Sequence, residues 1–232
     1  MTFPLIVLEG GDGSGKATQA ALLRARLEEQ HGEVTLFDFP RYEESLSGKL
    51  VGECLAGKHA DFRTLSPYLA SLPYVLDRIG VREQIAEQLT KNIVMCNRYT
   101  PSNVAYQAAK LLPADRERFV TFIEALEYDE FKIPRPTLVL YLHVPTAIAT
   151  RLIERKAERG YLSGTDQKKD QHERDTSYQE EVVRVYLDLA KERPDWDVVN
   201  CIDEGGELLS RESIHEQIWN IVESHVQKVV LK

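Results

Sequence analysis

Cysteine is scarce: three residues in 232, at positions 54, 96 and 201. An odd number this widely spaced excludes a paired disulfide framework and offers no Cys-x-x-Cys metal spacing, so buried free thiols in a reducing compartment are expected. Long hydrophobic runs are missing as well, and nothing approaches the roughly 18 apolar residues of a membrane helix. The start, Met1-Thr2-Phe3-Pro4, has no basic n-region, and Glu9 interrupts its short apolar run, so no signal peptide is expected. Positive charge is in deficit. Lys and Arg total 29 against 37 Asp and Glu, a formal net charge of −8, which makes a poor general nucleic-acid binder and leaves room only for a local basic pocket. No repeat, low-complexity tract or composition break marks a linker. A single soluble, cytoplasmic domain over 1–232 is expected, with neither a nucleic-acid nor a membrane partner.

What the chain does have is alternation. Apolar runs at Pro4–Leu8, Val34–Phe39, Ile93–Cys96, Thr137–His143 and Trp196–Ile202 read as strands. Segments of helical period separate them: Ala17–Gln30, Leu46–Leu55, Leu65–Leu89, Pro101–Leu112, Ala114–Glu127, Pro145–Arg155, Ser177–Glu192 and Ser213–Val229. Pro73 lies inside the longest of these and predicts a kink or break there. Strands that are apolar throughout, alternating with helices, predict a three-layer α/β/α fold around a five-stranded parallel sheet. Ligands in such folds sit beyond the carboxyl ends of the strands.

The first strand runs into Gly10-Gly11-Asp12-Gly13-Ser14-Gly15-Lys16-Ala17-Thr18, the Gly-x-x-x-x-Gly-Lys core of a phosphate loop in strand–turn–helix context. Composition alone yields about 0.04 such matches in a chain of this kind. Glycines let successive N–H groups turn toward phosphate oxygens, the helix adds its positive end, and Lys16 adds a full charge. The residue after the lysine is usually Ser or Thr, which ligates magnesium, and here it is Ala17. Thr18 is turned about 100° away on the helix, where it would reach a phosphate or cap the helix. No Asn-Lys-x-Asp segment is present to read guanine.

Two further strands exit through arginine-bearing segments, Asp38-Phe39-Pro40-Arg41-Tyr42 and Asn97-Arg98-Tyr99. Both arginines are expected at the mouth already occupied by the phosphate loop, beside a second anion such as a monophosphate. With these residues the chain resembles the thymidylate kinases over nearly its whole length. Gly10 to Thr18 is similar to the family's Gly-x-Asp-Gly-x-Gly-Lys-x-Thr, and Phe39-Pro40-Arg41 to its acceptor-phosphate motif. Asn97-Arg98-Tyr99 is similar to its Asp-Arg-Tyr or Asp-Arg-His motif, with Asn in place of Asp.

The resemblance implies transfer of a phosphoryl group from ATP to dTMP with Mg2+, by a homodimer. It places Asp12, Lys16 and Arg98 in catalysis, and Arg41 and Arg98 on the dTMP phosphate. Tyr74 would stack on thymine, Arg78 would bond the base edge, Ser102 and Asn103 would contact the pyrimidine, and Tyr106 would crowd a ribose 2′-hydroxyl. Asp12 would approach the acceptor 3′-hydroxyl or the metal shell, with Glu173 as a second metal candidate. Gly13, where some members carry Arg, implies a basic lid at about 155–175, in which Arg155 and Arg159 would meet ATP. Residues 151–175 carry seven basic side chains against six acidic. Ala17 and Asn97 both thin the expected metal site. Another deoxynucleoside or nucleoside monophosphate kinase of the same fold, or a catalytically weak nucleotide-binding regulatory protein, stays open at this point.

Overall fold

The computed structural model describes residues 2–59, 64–158 and 176–230. Strands form at Leu5–Gly10 (β1), Val34–Asp38 (β2), Ile93–Asn97 (β3), Leu138–His143 (β4) and Trp196–Asn200 (β5). Helices form at Lys16–His31 (α1), Leu46–Leu55 (α2), Pro67–Ile79 (α3), Arg82–Gln88 (α4), Thr100–Ala108 (α5), Pro113–Glu124 (α6), Thr146–Glu158 (α7), Thr176–Glu192 (α8) and Arg211–Val230 (α9). A π-helical turn, Ala125–Glu130, extends α6. All five strands pair in parallel, in the order β2-β3-β1-β4-β5.

Every residue of β1 is buried, because its side chains alternate between two cores. Leu5 and Val7 join Val104 and Ala105 of α5 and Val182, Tyr186 and Leu189 of α8 on one face. Ile6 and Leu8 join Leu23 and Leu27 of α1 and Ile218 and Val222 of α9 on the other. Burial on both faces explains why the strands read as continuous apolar runs rather than alternating ones. Strand order reverses beside β1, whose neighbours are β3 and β4, so a crevice opens at the carboxyl ends of β1 and β3.

The long helical segment divides, but not at Pro73. Helix α3 runs through that residue, whose missing N–H deprives only the carbonyl of Leu69, an exposed residue that water can serve. The chain leaves helical geometry at Val81 (φ −127°, ψ 5°), where a buried valine turns into the core and α4 begins. The last strand is also shorter than its apolar run. Ile202 leaves the sheet for an isolated antiparallel bridge with Leu208.

Candidate active site

Beyond Gly10 the chain turns through residues 11–15 before α1 begins. Gly13 and Gly15 take φ of 77° and 83°, which side chains disfavour. At Gly13 a β-carbon would also lie 2.6 Å from the carbonyl oxygen of Ala149, so α7 presses directly on the loop. Lys16 curls over it, with Nζ donating to the carbonyls of Gly10 (3.0 Å) and Gly11 (2.7 Å) and to Ser14 Oγ (3.3 Å). Burial, and then the charge of Arg98, push its amine down to about 7, against the pull of Asp12, Glu9 and Asp38. Ala17 and Thr18 are exposed on the first turn of α1, and no side chain caps that helix.

Arg98 follows β3 with φ 63°, a left-handed conformation that arginine rarely adopts. Its N–H donates to the Leu8 carbonyl at 2.9 Å. The guanidinium pairs with Asp12 through Nη2 and Oδ1, and reaches Ser102 Oγ at 3.3 Å and Tyr106 Oη at 3.5 Å. Tyr106 in turn donates to Asp12 Oδ2 at 2.8 Å. The phosphate loop and Arg98 thus share one carboxylate, as the convergence of strand ends predicts.

A residue that composition treats only as an interruption holds this arrangement. Glu9 is fully buried. Its Oε1 accepts from the backbone N–H groups of Tyr99 (2.8 Å) and Ser102 (3.1 Å), and its Oε2 from the hydroxyls of Ser102 (2.5 Å) and Tyr186 (2.8 Å). A carboxylate from β1 therefore caps α5, which has no capping side chain of its own. Burial pushes the Glu9 carboxyl up, while its hydrogen-bond donors and Arg98 pull it down. The readable signal was an acid inside an apolar strand, which needs a set of donors to be tolerated.

One cleft is lined by Asp12, Tyr74, Arg78, Arg98, Ser102, Asn103 and Tyr106, seven of the eight residues expected around the acceptor. Arg41 is not among its lining residues. Its Nε donates to Asp77 Oδ1 at 3.1 Å and its Nη2 to the Asp77 carbonyl at 2.9 Å, and Asp77 itself lines the cleft. Gly80 leaves room for the guanidinium there, since a β-carbon at that position would lie 3.0 Å from Arg41 Nη2. The neighbouring Asp77 and Arg78 thus do not pair with each other, and Arg78 instead makes a bidentate pair with Glu127 (2.6 and 2.6 Å). Glu127, fully buried on the π-helical turn, also accepts from Thr100 Oγ1 (2.7 Å) and Asn103 Nδ2 (3.2 Å). Gln107 lines the cleft too; it is fully buried, and neither end of its amide has a partner among the described residues.

Arg155 lies in α7, but its side chain is outside the described residues, as are Arg159 and Glu173. Among the described residues no group of three His, Cys, Asp or Glu is placed to cage a metal. The oxygen donors present at the strand ends, Asp12, Asp38 and Asn97, suit Mg2+ held mainly by phosphates and water. Among the described residues Asn97 Oδ1 is buried and without a partner, consistent with a further oxygen serving that shell. Burial pushes the Asp38 carboxyl up, against Asn97, Arg98 and Lys16.

The family model for thymidylate kinase matches residues 8–212. The thymidylate kinase of Mycobacterium tuberculosis is 30% identical over 188 residues, covering 80% of this chain and 85% of its own. A probable thymidylate kinase of Pyrococcus abyssi is 33% identical over 220 residues, covering 94% of each chain. Among solved structures, the thymidylate kinase of Candida albicans shares the fold, with a TM-score of 0.70 at 24% identity over 96% of this chain and 92% of that one. A family model that matches most of the chain, and relatives at 30% identity or more over most of their own length, show that the chain belongs to the thymidylate kinase family.

Proposed function

We propose that the protein transfers the γ-phosphoryl group of ATP to dTMP, giving ADP and dTDP. The observation that carries this reading is the sharing of Asp12 between the phosphate loop and the Arg98–Tyr106 side of the acceptor cleft. Phosphoryl transfer asks the protein for alignment and charge neutralisation more than for covalent chemistry. Lys16 and the loop N–H groups hold the donor phosphates, with Arg155 and Arg159 of the lid adding charge. Arg98 takes the acceptor phosphate as a planar, permanently charged fork. Asp12 orients the 3′-hydroxyl. Mg2+ bound with ATP would neutralise phosphate charge, and Asp12, Asp38 and Asn97 are the oxygen-bearing residues that would hold it or its waters.

Tyr74 offers a face for the base, and Ser102, Asn103 and Arg78 form its surroundings. The unpaired Gln107 amide matches an imide edge, one N–H beside one C=O, which thymine has and cytosine lacks. Gln107→Leu is expected to raise KM for dTMP about tenfold while KM for ATP stays put, as steady-state kinetics would show. The decisive experiment measures ADP production from ATP and Mg2+ with dTMP against other nucleoside monophosphates and thymidine. Preference for dTMP establishes the reading. Preference for another acceptor keeps the fold and overturns the base site, and binding without turnover makes the protein a nucleotide binder.

A homodimer is proposed through α2 and α3. Leu69, Leu72 and Leu76 recur at three- and four-residue spacing on α3, beside Leu46 and Leu50 of α2, and all five are exposed. So large a leucine face is uncommon on a monomer. Leu72→Glu with Leu76→Glu is expected to give a monomer in sedimentation, and an unchanged sedimentation coefficient would overturn this interface. A reducing, cytoplasmic setting agrees with three buried, unpaired cysteines.

A further inference from the structure

Asn97 puts an amide where a carboxylate would strengthen the metal side of the site, yet the charge is not lost from that region. The register of β2 and β3 sets Asp38 directly beside Asn97. Asn97 Nδ2 donates to Asp38 Oδ1 at 2.9 Å, and the Asn97 carbonyl accepts from the Phe39 N–H at 3.0 Å, so both ends of the pair are held. Asn97 is only 8% exposed, and its Oδ1 has no partner among the described residues. Asp38 is exposed, and its Oδ2 accepts no hydrogen bond from the described residues. Lys16 and Arg98 both lie close enough to attract its charge.

We propose that Asp38, oriented by Asn97, supplies the carboxylate charge to the hydrated magnesium of the bound nucleotide, with Asn97 Oδ1 as a neutral second oxygen. This rests on the kinase reading above. The physical reason for the arrangement is like-charge repulsion: a second ionised carboxylate at 97, in register with Asp38, would oppose the first, so one carboxylate and one amide share the pair. The amide holds Asp38 Oδ1, which leaves Oδ2 accepting no hydrogen bond from the described residues. Magnesium retains most of its waters and needs only one or two carboxylates near them, so a charge acting through water is sufficient. Asp38 is thus a positioning residue for the cation, distinct from the groups that touch the phosphates.

The test uses the full-length protein with ATP and Mn2+ in place of Mg2+, reading free Mn2+ by electron paramagnetic resonance, and ATP affinity separately in EDTA. Asp38→Asn is expected to weaken Mn2+ binding about tenfold, leaving metal-free ATP binding unchanged. The exchange variant Asp38→Asn with Asn97→Asp restores it by returning one carboxylate to the pair. Asp38→Ala, at an exposed position, serves as a second single variant, with thermal melts confirming that each is folded. Wild-type Mn2+ affinity in both single variants overturns the inference, as does an exchange variant no better than Asp38→Asn. A wild-type protein that turns over no dTMP sinks the kinase reading instead, a result these affinities do not mimic.

Discussion

Lys16→Ala is expected to lower turnover with dTMP by about 10³-fold, roughly 4 kcal/mol of transition-state stabilisation. Lys16 is the one basic side chain within the loop itself, and its Nζ already lies against the carbonyls of Gly10 and Gly11 and Ser14 Oγ. Removing it leaves the backbone donors in place, so ATP affinity should fall far less than kcat, which single-turnover assays would separate. Folding should not suffer. Burial and Arg98 push the amine from 10.5 down to about 7, so the native state binds fewer protons than the unfolded chain over that range. The Lys16 contribution to stability therefore rises with pH from about 7 to 10.5. The Ala variant should be at least as stable at pH 7 and should lose that part of the pH dependence in urea titrations. A fall in kcat below tenfold would remove Lys16 from the mechanism.

The second large effect is on stability. Glu127→Ala strands the guanidinium of Arg78, which is 2% exposed and whose Nε and Nη2 hydrogen-bond, among the described residues, to that carboxylate alone. Thr100 Oγ1 loses this acceptor and Asn103 Nδ2 keeps only the Ser71 carbonyl at 3.4 Å among the described residues. Breaking a buried pair on one side destabilises by about 3–5 kcal/mol, or about 10 °C in Tm for a chain of this length. Replacing both partners, as Arg78→Met with Glu127→Leu, is expected to recover most of the stability measured in urea, because no unpaired charge then stays buried. It should not recover dTMP affinity if Arg78 reads the base. A single variant that loses less than about 1 kcal/mol would show the pair to be energetically idle.

The phosphate loop was legible because its chemistry is local: glycines, a lysine and a following helix act over nine consecutive residues, Gly10 to Thr18. The five strands were legible because burial on both faces writes itself as an apolar run. Arg98, Ser102, Asn103 and Tyr106 could be grouped in advance because they occupy the exit of β3 and the first two turns of α5. Arg41 was placed in the right neighbourhood but not in the cleft lining, because the Asp77 carboxylate reaches it from α3, 36 residues away.

Glu9, Asp38, Gln107 and Glu127 were not legible as site residues. Their meaning lies in partners 24 to 177 residues distant for the two buried glutamates, in strand register for Asp38, and in an unmet amide for Gln107. The sequence by itself determined the phosphate loop, the sheet and the family, since periodicity and short-range spacing carry those directly. Only the tertiary structure decided which acid meets which arginine. Burial sets the penalty for leaving a charge unpaired, and burial is a property of the packed chain.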